Sequence, residues 1–258
     1  MEAPRTYRAD AIVLHRVDIG ETDRIVILYT RVKGKVAAIA KGARKALSKL
    51  AAATEPFTYG RHMLAVGQNL DVMTQVEIRE SFPSIRKDMQ RVAYAVYFVE
   101  LVDAFVEERE SSHEIFDTLL SALYMLESGL AAPVVARSFE LKLLELLGYA
   151  PQLEVCIRCG VVALGDELTF SPSYGGLVCG KCGPLPDDTL YLRNETVQAM
   201  KRLLAAEPSD LRKMDLSPEV IKEAAQALHR HIRYRLERDI KSMEFLQSLA
   251  AVAADEEL

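Results

Sequence analysis

The sequence predicts a multidomain α+β chain in which a small five-stranded barrel leads an α-helical body with a four-cysteine module set into it. Three observations predict this. Short β-branched runs divided by glycines fill the first 80 residues, helical periodicity begins after Pro83, and all four cysteines fall in two Cys-x-x-Cys pairs.

The strands come first. Tyr7–His15 alternates Ala9, Ala11 and Val13 with Arg8, Asp10 and Ile12, and Asp23–Thr30 is rich in β-branched and aromatic residues. Lys35–Ala40, Phe57–Val66 and Leu70–Ser81 complete the set, with Gly20, Gly34, Gly60 and Gly67-Gln68-Asn69 as punctuation. Five short strands in this span suit an oligonucleotide-binding (OB) barrel, although strand count alone also admits an SH3-like barrel. Helices follow. Val92, Val96, Val99, Val102 and Val106 recur at helical steps within Asp88–Val106, and Ser111 with Glu114 has capping-box spacing ahead of Ile115–Leu126, with Gly129 as the stop. Pro133–Leu147 is a third helix, closed by Gly148 and Pro151. Residues 151–183 read as irregular. Asn194 is placed to cap Glu195–Ala206, and Ser217-Pro218-Glu219 opens a final helix running to about Leu249, after which Ala250–Leu258 frays. The expected domains are the barrel over 1–81, helices over 82–150, the cysteine module over 151–184 and helices again over 185–258.

Half of the 258 residues are apolar and 27% are charged, which excludes wholesale disorder. The longest apolar run, Val92–Val99, ends at Glu100 and falls well short of the roughly 18–20 residues of a membrane span. Met1-Glu2-Ala3-Pro4-Arg5 lacks the apolar core of a signal peptide, so the expected location is the cytoplasm, with no membrane partner. The net charge of −5 hides an asymmetry. Residues 1–80 carry 13 Lys and Arg against 9 Asp and Glu, whereas 81–258 carry 19 against 28. A polyanion responds to the local field of one surface, so the basic head outweighs the acidic sum.

Cys156-Ile157-Arg158-Cys159-Gly160 and Cys179-Gly180-Lys181-Cys182-Gly183 have the pairing of a zinc ribbon, with 19 residues between Cys159 and Cys179. Two tight turns bring four thiolates to one metal, and four protein ligands leave no open position, so a single structural Zn²⁺ is expected on Cys156, Cys159, Cys179 and Cys182. A thioredoxin-like redox pair would need a βαβ setting that is missing here. Gly175–Lys181 imitates a phosphate-binding loop, but Cys182 stands where a hydroxyl should bind magnesium. Gly183-Pro184-Leu185-Pro186 then forbids the helix such a loop opens, so no nucleotide is expected there.

From Arg31 to Thr54 there are seven cations and no acid. On a strand, Lys33, Lys35 and Lys41 share one face while Val36, Ala38 and Ala40 share the other. Gly42-Ala43-Arg44-Lys45 then forms a basic loop. The candidate nucleic-acid contacts are Lys33, Lys35, Lys41, Arg44, Lys45 and Lys49, with Tyr29, Phe57 and Tyr59 as stacking faces or, alternatively, core residues. A solvated charged face is the plainer reading of the same run. A second patch, Arg230, Arg233, Arg235, Arg238 and Lys241 with His229 and His231, is either a further contact surface or a helix face paired with Glu237 and Asp239. The five histidines share no ligand spacing with acids, and no catalytic group is expected.

Several stretches resemble the RecO family of recombination mediators. These are Gly20-Glu21-Thr22-Asp23-Arg24-Ile25-Val26, Gly34-Lys35-Val36, Ala40-Lys41-Gly42-Ala43-Arg44 and Pro56-Phe57 in the head. Phe139-Glu140-Leu141-Lys142-Leu143-Leu144-Glu145-Leu146-Leu147-Gly148-Tyr149-Ala150-Pro151, the two cysteine pairs, Phe170-Ser171-Pro172, Gly175-Gly176 and Ile240–Leu246 carry it through the body. The resemblance implies an OB barrel, a helical domain and a zinc module in a bacterial, nucleoid-associated protein that is not an enzyme. It implies binding of single- and double-stranded DNA, annealing of complementary strands, and loading of RecA, with RecR, onto strands coated by single-strand-binding protein. By that likeness the DNA contacts fall on Lys35, Lys41, Arg44 and Lys45, and the helical domain grips the C-terminal tail of single-strand-binding protein. An RNA-binding or transcription-linked scaffold and a metal-dependent nuclease are the rival readings.

Overall fold

The computed structural model describes residues 5–162, 165, 167–243 and 245–246. Two compact units divide the chain, the first including residues 5–128 and the second being Gly129–Met243.

In the first unit, β1 (Thr6–Ile19), β2 (Asp23–Thr30), β3 (Gly34–Ala40), β4 (Tyr59–Ala65) and β5 (Asp71–Glu80) form a closed barrel in the order β1-β2-β3-β5-β4. Every pairing is antiparallel except β3 with β5, and closure leaves the barrel without a free edge. The OB expectation is met. β1 runs four residues further than expected because it serves two neighbours. Its first half pairs with β4, its second with β2, and an irregularity between Val13 and His15 lets it bend from one to the other. The alternation in β3 holds, with Val36, Ala38 and Ala40 turned inward and Lys35, Ala37 and Ile39 half-buried outside. The core contains Ala11, Val13, Val26, Leu28, Ala38, Ala40, Leu64 and Met73. Small side chains recur there because a five-stranded barrel has a narrow interior.

The helices α1 (Met89–Phe105) and α2 (His113–Glu127) belong to the same unit. Asp88 caps α1 by accepting from the Arg91 N–H. The α2 cap is Ser112 rather than Ser111. Its hydroxyl accepts from the Ile115 N–H at 3.2 Å and donates to Glu114 at 3.0 Å, a one-residue shift between two serines that spacing alone does not separate. Helix α1 packs on β1, and Phe116 of α2 meets Tyr29 and Tyr59 of the barrel wall.

The second unit is built on α3 (Ala132–Leu146), α4 (Asn194–Ala205) and α6 (Pro218–Leu236), which pack pairwise, with α5 (Pro208–Leu211) a single turn between the last two. Residues 151–183 are not irregular. They contain β6 (Glu167–Ser171) and β7 (Gly176–Val178), which join β8 (Leu190–Arg193) in a three-stranded sheet ordered β7-β6-β8. Strands this short carry too few alternations to register as a period. Gly176 is required there, since a Cβ would sit 2.6 Å from the Gln152 carbonyl oxygen. Asn194 is the first residue of α4 rather than its cap. The final helix stops at Leu236, well before Leu249. Glu237 takes a left-handed conformation with φ 53° and donates its N–H to the Arg233 carbonyl, a stop made without the glycine that usually signals one. The expected fraying of Ala250–Leu258 lies outside the described residues.

Candidate metal centre and basic surface

The cysteines sit on two backbone turns tied to the small sheet. In the first, the Gly160 N–H donates to the Cys156 carbonyl at 2.8 Å, the Cys156 N–H to Val161 at 2.8 Å and the Ile157 N–H to Leu177 of β7 at 2.9 Å. In the second, a 3-10 turn spans Gly180–Cys182 and the Cys182 N–H donates to the Cys179 carbonyl. Gly160 and Gly183, at φ 72° and 99°, turn the chain back after each pair.

All four sulfurs lie within 4.8 Å of one another. Cys156–Cys182, Cys159–Cys179 and Cys179–Cys182 are 3.8, 3.6 and 3.4 Å apart. A disulfide needs about 2.05 Å, so these are free thiols. A tetrahedron of sulfurs about 2.3 Å from a zinc ion has edges of about 3.8 Å, which matches the separations seen. The electrostatics also call for a cation. Burial opposes ionisation of Cys156, but the N–H groups of Cys179, Arg158 and Cys159 prevail and bring its thiol down to about 6. Cys182, hydrogen-bonded to Cys159 and Cys179, is pushed up to about 12. Four sulfurs this close cannot all become anions without a positive ion among them. The cluster is a possible structural metal site with a complete tetrahedral donor set.

The predicted nucleic-acid contacts separate into two groups. Lys35 is not on an open face. Its ammonium donates to the Asp103 backbone carbonyl at 2.8 Å and pairs with the Asp103 carboxylate at 3.3 Å, leaving the side chain 16% exposed. His15 approaches the same carboxylate at 3.1 Å. Lys33 lies 3.6 Å above the Tyr7 ring, and Arg31 pairs with Asp117. Beyond β3 the picture changes. Lys41, Arg44, Lys45 and Lys49 are exposed on the β3–β4 loop, and among the described residues Lys41, Lys45 and Lys49 have no carboxylate within 4 Å. Arg44 braces the loop, donating to the Gly20 carbonyl at 2.8 Å and pairing with Asp18 at 3.4 Å. Asp23 accepts from the Gly42 N–H at 2.8 Å, and that hydrogen bond, the Thr22 hydroxyl and nearby Lys41 and Lys45 hold its carboxyl below the usual range.

The stacking reading of the aromatics does not survive. Tyr29 and Phe57 are buried, Tyr29 and Tyr59 against Phe116, and Phe57 under the Arg86 guanidinium at 4.1 Å. Tyr29 and Phe57 are core residues and Tyr59 is half-buried, because Phe116 of α2 and Arg86 cover the barrel wall that carries them.

On the second patch, Arg230, Arg233 and Arg238 line a cleft of about 680 Å³ together with Tyr234, Asp188, Glu237 and Asp239. Arg233 pairs with Asp239 at 2.7 Å. Arg235 turns aside, 5.9 Å from the Tyr149 ring and 5.5 Å from the Tyr234 ring, and Lys241 lies beyond the end of α6. Acids are interleaved in sequence with these cations, whereas the run from Arg31 to Thr54 contains none.

Two polar features escaped the sequence. Arg137 and Glu140 form a buried ion pair between neighbouring turns of α3, with His229 of α6 3.2 Å from Arg137. Both lie amid the apolar run of that helix, and this interruption of the stripe was the available signal. His62 of β4 is fully buried in the barrel, and neither ring nitrogen has a hydrogen-bond partner among the described residues. Burial lowers its pKa to about 4, so it is neutral.

Comparison with known proteins agrees with this architecture. The family profile described as "Recombination protein O N terminal" matches residues 1–82, and "Recombination protein O C terminal" matches residues 86–244. A protein of Symbiobacterium thermophilum named "DNA repair protein RecO" is 39% identical over 246 residues, covering 94% of this chain and 97% of that one. Its namesakes in Pelotomaculum thermopropionicum and a Roseiflexus strain are 38% and 37% identical, covering 97% and 95% of this chain and 97% and 86% of theirs. With both profiles matched in order and likeness of this extent along nearly the whole chain, this protein belongs to the RecO family of DNA repair proteins.

Proposed function

We propose that this chain is a DNA-binding recombination mediator that anneals complementary single strands and helps RecA, together with RecR, onto strands coated by single-strand-binding protein. The observation that carries the reading is the braced β3–β4 loop, which presents Lys41, Lys45 and Lys49 to solvent with no carboxylate within 4 Å among the described residues. Such a surface neutralises phosphates and releases counterions. Screening two strands from one another lets base pairing supply the free energy of annealing, so no bond chemistry is required and the protein is not an enzyme in this reading. The relatives' name, DNA repair protein, supports the choice of polymer.

The bound metal is Zn²⁺ in this reading, since soft thiolates in a tetrahedron select it, and its role is structural. Residues 1–81 form the nucleic-acid domain and 151–184 the zinc module within helices 82–150 and 185–258. The helical domain takes the tail of single-strand-binding protein, and the protein works in the bacterial cytoplasm at the nucleoid. Lys33, Lys41, Arg44, Lys45 and Lys49 are the proposed DNA contacts. Lys35, held by Asp103, is not among these contacts, and Arg230, Arg233, Arg235, Arg238 and Lys241 form a secondary contact surface.

The test is an annealing assay with complementary oligodeoxynucleotides, bare and coated with single-strand-binding protein. Accelerated annealing on both, with a salt slope near −3.5 from five contacts at about 0.7 each, is the expected result. Tighter binding to matched RNA would favour the scaffold reading, and strand loss in magnesium would favour a nuclease.

A further inference from the structure

The loop that carries the free lysines also displays a large apolar side chain at its centre. Leu47 is 97% exposed. It is not at the end of a loose segment, because the chain on both sides is anchored. Ala43, four residues before, is buried in the barrel core, and Leu50, three residues after, packs against that core. The Arg44 N–H donates to the Thr22 carbonyl at 2.9 Å and the Ser48 N–H to the Lys45 carbonyl at 2.9 Å. The Leu50 N–H donates to the Ser48 hydroxyl, and the Arg24 guanidinium holds the Ala51 carbonyl. These bonds hold an apolar side chain in water at the apex of a fixed turn, flanked in sequence by Lys45 and Lys49.

An exposed leucine with a lysine two residues to either side fits a partner that offers negative charge and flat apolar faces together. A nucleic-acid strand does, with phosphates on its backbone and unstacked bases beside them. Aliphatic side chains placed between bases act as wedges that open a stack. We propose that Leu47 inserts between neighbouring bases of the bound strand, so that the loop grips phosphates with Lys41, Lys45 and Lys49 and holds the bases apart with Leu47. This rests on the reading of the loop as the phosphate-binding surface. It gives annealing a physical route, since bases splayed on the protein surface are available to a complementary strand.

The test uses the full chain with its metal and a single-stranded oligodeoxynucleotide carrying 2-aminopurine, whose emission reports loss of stacking. Leu47→Ser is expected to lower affinity about tenfold, the scale of one leucine withdrawn from an apolar contact, at every salt concentration. It should abolish most of the emission rise, and Leu47→Phe should restore both. Because Leu47 carries no charge, the salt slope should stay as in the parent, whereas Lys45→Gln should reduce it by about 0.7 and keep the emission rise. Thermal midpoint and metal content should match the parent in all three variants. Parental affinity and emission change in Leu47→Ser would overturn the wedge and leave the phosphate surface standing. Failure of the parent itself to bind the oligonucleotide would remove the DNA-binding reading, and the wedge with it.

Discussion

The barrel and the cysteine-bearing unit reach a defined shape by different means. The barrel closes its sheet on itself and buries a continuous apolar interior from Ala11 to Met73, so its order comes from the chain alone. The cysteine turns rest on strands of five, three and four residues, and their four sulfurs all lie within 4.8 Å of one another. A cluster of that kind becomes stable only when an ion gathers it. The barrel should therefore tolerate what the module does not, and the reverse.

The sharpest way to break this contrast is to remove the proposed metal. Cys156→Ser, or a strong chelator, should strip the ion and unfold the module, a loss on the order of 10 kcal/mol of apparent folding free energy. Metal analysis and limited proteolysis would show cleavage within 151–184 while the barrel stays resistant. An unchanged proteolysis pattern would refute a structural role. Next in size is the buried pair of α3. Glu140→Ala leaves Arg137 buried without that carboxylate and should cost about 3–5 kcal/mol in urea unfolding, without change in DNA binding by the barrel loop.

The barrel has its own weak point. Folded His62 takes up a proton near pH 4, against 6.5 for the ordinary imidazole. The unfolded chain thus binds the proton first, and stability falls as pH drops below about 6.5, levelling off below about 4. The loss is on the order of 3 kcal/mol, and His62→Leu should flatten this part of the stability profile measured by denaturant titration.

Smaller effects separate the two sets of cations. Reversing Lys41 and Lys45 to Glu should weaken single-strand binding roughly tenfold or more at moderate salt and lower the salt slope by about 1.4, with metal content unchanged. Lys35→Met should leave the slope alone. It should instead cost less than about 1 kcal/mol of stability, since its partner Asp103 is half-buried. Burial opposes the Asp103 charge, but His15 and Lys35 outweigh it and hold the carboxyl below its usual range. That contribution is fully present above the ordinary carboxylate pKa and is lost as pH falls below it. A salt slope that drops in Lys35→Met would return this residue to the DNA surface.

The cysteine pairs were legible because their spacing encodes the chemistry directly, and the barrel because strand alternation reports which face is inside. The same alternation misplaced Lys35. A period of two says which side of a strand a residue occupies, but not whether another element covers that side, and the carbonyl and carboxylate of Asp103 take up the ammonium. For the same reason the sequence left Tyr29, Phe57 and Tyr59 open between core and stacking faces, and burial places Tyr29 and Phe57 in the core. The end of α6 was missed because Glu237 adopts a conformation that its residue type does not advertise.

What the sequence determined by itself was local: the strand and helix periods, the four ligand positions, the acid-free run from Arg31 to Thr54 and the family pattern. Each depends on neighbours within a few residues, where side-chain type and spacing suffice. The tertiary structure alone decided which cations remain open to solvent, which aromatics are sealed, and that Leu47 stands exposed on a braced loop. Those outcomes depend on burial and pairing between segments distant in the chain, and residue order does not specify them until the chain has folded.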